Sequence, residues 1–274
     1  MGSWKDGLAN MLNWLLELIL GAAGLIAEDT YVLFDGQYAA IWTWVRSIAN
    51  NVIEPIAVMI VVIFFIMAIM EKASGESLTL ETMFKEIIKL CFGLYLVTNS
   101  VDIVCNLINL GNGILHQVLK ESTEIIMPIQ FEASMFNDFS LIIALLAAIV
   151  MILCLFLQEI LFLLMKVVAL TRILEIAIRT ALSPLALADT FAGPLLHSHA
   201  INFIRSFFAV CAQGVFIAII ANFVPAVWIG LIGVGSGDLW EICGSMWSSI
   251  PVLVAATILM FKSGSIAKEM MGGR

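Results

Sequence analysis

Residues 139–165 read FSLIIALLAAIVMILCLFLQEILFLLM and contain a single charged side chain, that of Glu159. An α-helix rises about 1.5 Å per residue, so roughly 20 apolar residues cross the hydrocarbon core of a bilayer, which is about 30 Å thick. This run therefore indicates a transmembrane helix. Because a carboxylate at such a depth is costly, we expect Glu159 to pair with a polar group on another helix.

The composition of the whole chain supports a membrane location. Of its 274 residues, 62% are hydrophobic and only 12% are charged. A soluble domain of this length could not bury so much apolar surface, so part of that surface must face lipid. We predict an all-α, polytopic membrane protein with five to six transmembrane helices plus interfacial or re-entrant amphipathic helices. The net charge of −8 gives no support for a basic nucleic-acid-binding surface.

Outward from the first run, the chain divides into an N-terminal region and a transmembrane core. We predict amphipathic helices over residues 1–50, with a loop followed by an interfacial aromatic helix within 30–50. The helix at 4–27 has a polar stripe and is either a span or an interfacial helix. Residues 51–274 form the predicted transmembrane core with an amphipathic cytoplasmic-side segment at 167–190. Its other predicted helices are spans at 52–70, 200–228 and 247–266 and one long helix at 84–118.

The positions of the basic residues predict the orientation. If the loops 71–89 and 166–205, the first residues and the C-terminal tail are cytoplasmic, eleven of the thirteen Lys and Arg residues lie inside. Only Arg46 and Lys120 then lie outside, which is a strong positive-inside bias. We therefore expect a multi-pass protein of the cytoplasmic (inner) membrane with its C-terminus in the cytoplasm.

Polar side chains recur along the predicted helix at 84–118. Their spacings of three, four and three residues place them on one helical face; they are Asn99, Asp102, Asn106 and Asn109. A charged group at membrane depth should face a lumen or a partner, so this stripe is a candidate lumen lining. The alternative is that this half of the helix projects beyond the bilayer and that the stripe is simply solvated.

The segment 172–190, RILEIAIRTALSPLALADT, combines an apolar face with three charges. Arg172, Glu175 and Arg179 fall on one helical face, and Ser183-Pro184 follows where a helix should break. One interpretation is an interfacial connector whose charges snorkel to lipid headgroups. The other is a re-entrant element that docks a partner.

This segment, together with HAINFIRSFFAVCAQGVFIAII at 199–220, resembles the central region of the TrbL-type family. That family is the polytopic inner-membrane subunit of type IV secretion and conjugation machines, the counterpart of the sixth VirB protein. The resemblance covers roughly residues 139–266 and is nearest to the short forms on Gram-positive conjugative elements. It implies a homo-oligomeric ring, with a pentamer expected, and a docking role for Arg172, Glu175, Arg179, Ser183, Pro184 and Arg205.

The resemblance implies a non-enzymatic channel or scaffold component of a conjugative DNA-transfer machine. Its expected partners are other copies, the membrane-associated conjugation ATPase, further secretion subunits, membrane lipids and, transiently, the transferred DNA or protein. We predict no catalytic set, no metal site and no cofactor, apart from a structural phospholipid, because GxxxxGK[ST] and HExxH motifs are absent from the sequence. The alternative is a stand-alone transporter or channel for small solutes or ions, although the chain shows no inverted repeat.

Overall fold

A computed structural model of the chain describes residues 4–29, 38–75, 79–122, 141–188, 199–232 and 239–271. Within these ranges the backbone forms helices and turns and no strand. The helices are α1 Trp4–Asp29, α2 Ala39–Ile48, α3 Glu54–Gly75, α4 Leu80–Thr98, α5 Ser100–Ser122, α6 Leu141–Ala181, α7 Ser183–Ala188, α8 His199–Ile232 and α9 Leu239–Met270. A π-helical turn, Ala49–Ile53, joins α2 to α3.

The prediction of an all-α polytopic membrane protein is confirmed. Four stretches of the described chain are long and apolar enough to cross a membrane: Ala39–Ser74, Leu145–Ala181, Ala200–Val224 and Cys243–Met270. The bent pair α4–α5 adds a fifth crossing if it is one span. Whether α1 spans the membrane or lies in the interface stays a prediction.

A proline explains the π-helical turn between α2 and α3. Pro55 has no N–H to donate to the carbonyl of Asn51, and its ring would clash with that carbonyl. The helix widens instead, and the N–H of Glu54 bonds the carbonyl of Ala49, five residues back. As a result α2 and α3 form one 36-residue candidate span, Ala39–Ser74. The aromatic helix predicted within residues 30–50 is observed as α2, which continues into α3 through the π-helical turn. Its interfacial position stays a prediction, and residues 30–37 lie outside the described residues.

The single long helix predicted at 84–118 is also wrong. The chain bends by 59° between α4 and α5, and the break is at Asn99, whose backbone leaves the helical conformation. Its side-chain amide donates to the carbonyl of Tyr95 at 2.9 Å. Asparagine competes for backbone hydrogen bonds in this way, which weakens a helix at that point.

The first part of the segment 167–190, up to Ala181, does not form a helix of its own. It continues the 41-residue helix α6, which ends only at Ala181. At about 1.5 Å per residue this helix is roughly twice as long as the hydrocarbon core is thick. Part of α6 therefore extends beyond the hydrocarbon. Whether the chain re-enters the membrane after α7 stays a prediction, because residues 189–198 lie outside the described residues.

The chain divides into two compact units. The first comprises Met1–Tyr31, Ile114–Thr171 and Gly214–Gly264, and the second Val32–Gly113, Arg172–Gln213 and Ser265–Arg274. The main core of the first unit brings together buried residues of α1, α6, α8 and α9, among them Leu12, Met151, Ile217 and Met260. The main core of the second packs α2 and α5 with α6 and α8 through Trp42, Ile108, Ile176 and Phe207.

Candidate functional site

The predicted polar stripe lies on the exposed side of α5. Val104 and Ile108 are buried on the opposite side of the helix, while Asp102, Asn106 and Asn109 are exposed. Asn99 does not belong to this surface, because it sits half-buried in the bend before α5 begins. The structure thus keeps three of the four predicted residues together.

A fourth polar residue, from α2, joins this surface. Ala49, in the turn after α2, packs in one buried cluster with Val101 and Cys105 of α5. Next to this contact the exposed side chain of Arg46 donates from Nη2 to the sulfur of Cys105 at 3.5 Å. We call the exposed set Arg46, Asp102, Asn106 and Asn109 the polar face.

Sequence reasoning missed Arg46 because it lies 59 residues from Cys105. Only packing between α2 and α5 brings the two together, and helical periodicity within either segment carries no sign of it. The polar face combines one cation, one carboxylate and two amides on helices of two candidate spans, Ala39–Ser74 and the bent pair α4–α5. Such groups are stable facing water or a polar partner and costly facing lipid.

Arg172 was predicted as a partner-docking residue, and the structure places it in the interior of the second unit. Its side chain is 3% exposed. Nε donates to the carbonyl oxygen of Val210 at 2.9 Å, and Nη2 donates to that of Cys211 at 3.0 Å. The guanidinium thus holds two successive carbonyls of α8. Its docking role stays a prediction.

Glu175 and Arg179 are more accessible than Arg172. They form an ion pair one turn apart on α6, at 2.5 Å, with side-chain exposures of 37% and 23%. Nη1 of Arg179 also donates to the hydroxyl of Ser206 on α8. Arg205, the neighbour of Ser206, is exposed. Of the predicted docking residues, Glu175, Arg179 and Arg205 are therefore the ones that are at least partly exposed in the described part of the chain.

Ser183 and Pro184 are buried at the start of α7. Pro184 has no N–H to donate to the carbonyl of Thr180, four residues back. The hydroxyl of Ser183 donates to that carbonyl instead, at 2.8 Å. Their arrangement shows a local structural role, and their predicted contact with a partner stays a prediction.

Glu159 and its neighbour Gln158 lie in the first unit. Gln158 is fully buried and carries the bonds between α6 and α9: its Nε2 donates to the hydroxyl of Ser249 at 3.0 Å and to the carbonyl of Met246 at 3.3 Å. The Oε2 atom of Glu159 is buried and has no hydrogen-bond partner among the described residues. A pair between Glu159 and another helix therefore stays a prediction.

This arrangement defines a polytopic α-helical membrane protein with a polar face on helices of candidate spans. A family model described as TrbL/VirB6 plasmid conjugal transfer like protein matches residues 34–184, more than half of the 274 residues. The chain therefore belongs to the TrbL/VirB6 family and is a multi-pass membrane component of conjugal transfer. No curated protein matches the chain, and no solved structure matches it.

The matched region differs from the region of the sequence resemblance. It begins before α2 and ends at Pro184, whereas the resemblance was assigned to residues 139–266. The match therefore includes the whole polar face and the Glu175–Arg179 pair, and it leaves out Arg205. The family is a structural component of conjugation and is not a known enzyme family.

Proposed function

We propose that this chain is a non-enzymatic channel or scaffold subunit of a conjugative type IV secretion machine. Several copies, five by the family resemblance, assemble as a ring in the cytoplasmic membrane with the C-terminus inside the cell. The polar face of each copy points toward a common aqueous lumen. Family membership supports the role in conjugal transfer, and the polar face is the observation that supports the lumen.

The energetic argument starts from one exposed carboxylate. Asp102 lies in a helix of the bent pair that qualifies as a membrane crossing, and its side chain is exposed. A charged side chain facing lipid at the centre of a bilayer costs about 2.5–3.5 kcal/mol on insertion scales. Asn106 and Asn109 add two amides on the same side of the helix. A ring removes this cost because it surrounds the polar face of every copy with water.

A cytoplasmic ATPase is the proposed source of energy. The chain itself has no GxxxxGK[ST] motif, so a partner must hydrolyse the nucleotide. The half-buried Glu175–Arg179 pair and the exposed Arg205 offer it a contact surface. Arg172 contributes indirectly, by fixing α6 against α8.

Conjugative transfer by two variants at one position tests the proposal. Asp102→Leu replaces the one carboxylate of the polar face with an apolar side chain and should lower the transfer frequency. Asp102→Asn keeps a hydrated polar side chain and should retain most of the wild-type transfer frequency. Both variants must insert and assemble like the wild type, as checked by membrane fractionation. Equal transfer by both variants and the wild type would show that the carboxylate has no part in the path.

Electron microscopy of the purified protein tests the ring itself. The proposal predicts particles with rotational symmetry and a central opening. A compact monomer with a cavity at mid-membrane depth would instead support a stand-alone transporter.

A further inference from the structure

Two lysines and one buried glutamate meet where α3 ends and α4 begins, in the second unit. Nζ of Lys72 lies 2.5 Å from Oε1 of Glu86, and Nζ of Lys89 lies 3.1 Å from the same oxygen. The two ammonium nitrogens are therefore no more than about 5.6 Å apart, the sum of these distances. One carboxylate neutralises one lysine, so the cluster keeps one positive charge.

In this cluster the carboxylate is buried and the two ammonium groups are partly exposed. The side chain of Glu86 is 3% exposed, whereas those of Lys72 and Lys89 are 38% and 46% exposed. An approaching molecule therefore meets two neighbouring ammonium groups. The neighbouring carboxylate of Glu81 is held by Lys85 at 2.9 Å. Glu71 is exposed beside Lys72 in the chain and reduces the surplus charge without entering the cluster.

An apolar ridge runs along the same helix. Leu80, Phe84 and Ile88 recur at steps of four residues in α4, and their exposures are 83%, 65% and 60%. Residues at this spacing share a helical face. Lys side chains near the end of a membrane-crossing helix reach toward the headgroup region. The hairpin also joins two candidate membrane-crossing stretches, which places it at a membrane boundary.

We propose that Lys72 and Lys89, positioned by Glu86, bind the phosphate of an anionic phospholipid. The net single positive charge of the cluster matches the single negative charge of a phospholipid phosphodiester. Lipid binding here is independent of the proposed role in conjugation. It fixes the α3–α4 hairpin at one face of the bilayer, where lysine clusters attract anionic headgroups.

Native mass spectrometry tests the site on the full-length protein. The protein is reconstituted in an equimolar mixture of phosphatidylglycerol and phosphatidylcholine, and the ratio of retained lipids is measured. Lys89→Gln should lose the preference for phosphatidylglycerol several-fold. Lys85→Gln is the matched control, because Lys85 lies on the same helix but pairs one-to-one with an exposed carboxylate. It should keep the wild-type ratio.

Glu86→Gln separates lipid binding from a purely structural ion cluster. Gln keeps a side-chain oxygen that can accept from both lysines but removes the negative charge, so retention of phosphatidylglycerol should rise. A cluster that serves only to hold the hairpin predicts no gain and a loss of stability. A wild-type lipid ratio in Lys89→Gln, or an equal loss in Lys85→Gln, would overturn the proposal.

Discussion

The guanidinium of Arg172 in α6 donates to the carbonyl oxygen of Cys211 in α8 across 3.0 Å. A second bond from Nε to the carbonyl of Val210 makes the contact bidentate. Arg172→Lys leaves one ammonium for two acceptors in a buried position, so we expect a loss of about 1.5–3 kcal/mol, as for hydrogen bonds to charged groups. Thermal unfolding in detergent measures this loss.

Arg179→Lys is the matched control for this substitution. Arg179 lies on the same helix, and its main partner is the partly exposed Glu175, which a lysine can also reach. We expect little change in its melting temperature. Equal destabilisation by the two variants would contradict the structural role assigned to Arg172.

Gly111 on α5 lies close to the same segment of α8. A Cβ added there would stand 3.2 Å from Cβ of Cys211, whereas one added at Gly113 would meet nothing within 4 Å. Alanine favours a helix over glycine by roughly 0.5–1 kcal/mol. Gly111→Ala should therefore destabilise the protein in spite of this gain, while Gly113→Ala should be neutral or stabilising. The two melting temperatures, measured side by side, decide the point; a stable Gly111→Ala would mean that α5 and α8 separate easily.

The side-chain amide of Gln158 in α6 donates hydrogen bonds to α9. We expect the stability of the protein to depend more on the charge of the group at this position than on its volume. Gln158→Glu removes the Nε2 donor to Ser249 and Met246 and adds a carboxylate next to Glu159 inside a membrane-crossing helix. Gln158→Leu removes the donor without adding charge. Because buried charges cost far more than buried apolar groups, the Glu variant should unfold at a clearly lower temperature. The opposite order would show that the changed shape and volume of the side chain cost more than the added charge.

The class of the fold follows from composition and from uninterrupted apolar runs such as 139–165. Those features can be read from the sequence because a helix that faces lipid must be apolar along its whole length. The helix breaks were harder to predict. The polar spacing through Asn99, Asp102 and Asn106 continues without interruption, so periodicity joined α4 and α5 into one helix. The bend at Asn99 depends on a side-chain bond to Tyr95, which spacing does not reveal.

The candidate site was predicted in part for a similar reason. Arg172 and Arg179 point in nearly the same direction on a helical wheel, which predicted a shared exposed face. In the structure α8 accepts both bonds of Arg172, while Arg179 stays partly exposed beside Glu175. Only tertiary packing distinguishes the two positions, and the same holds for Arg46 in the polar face.

The central claim is that the polar face lines the transfer path, and blocking that face in living cells tests it most directly. Asn106→Cys is placed in a Cys91→Ser background, because Cys91 is the exposed one of the five native cysteines. The matched control is Ile63→Cys, an exposed position in the apolar helix α3 of the same unit. Intact cells are treated with a bulky, membrane-impermeant thiol reagent before mating.

Transfer frequency after this treatment is the decisive measurement. A lumen-lining face predicts that the reagent sharply lowers transfer by the Asn106→Cys strain and leaves the Ile63→Cys strain unchanged. If mass spectrometry shows Asn106→Cys fully labelled while transfer continues at the untreated rate, the polar face is solvated outside the path and the account is contradicted.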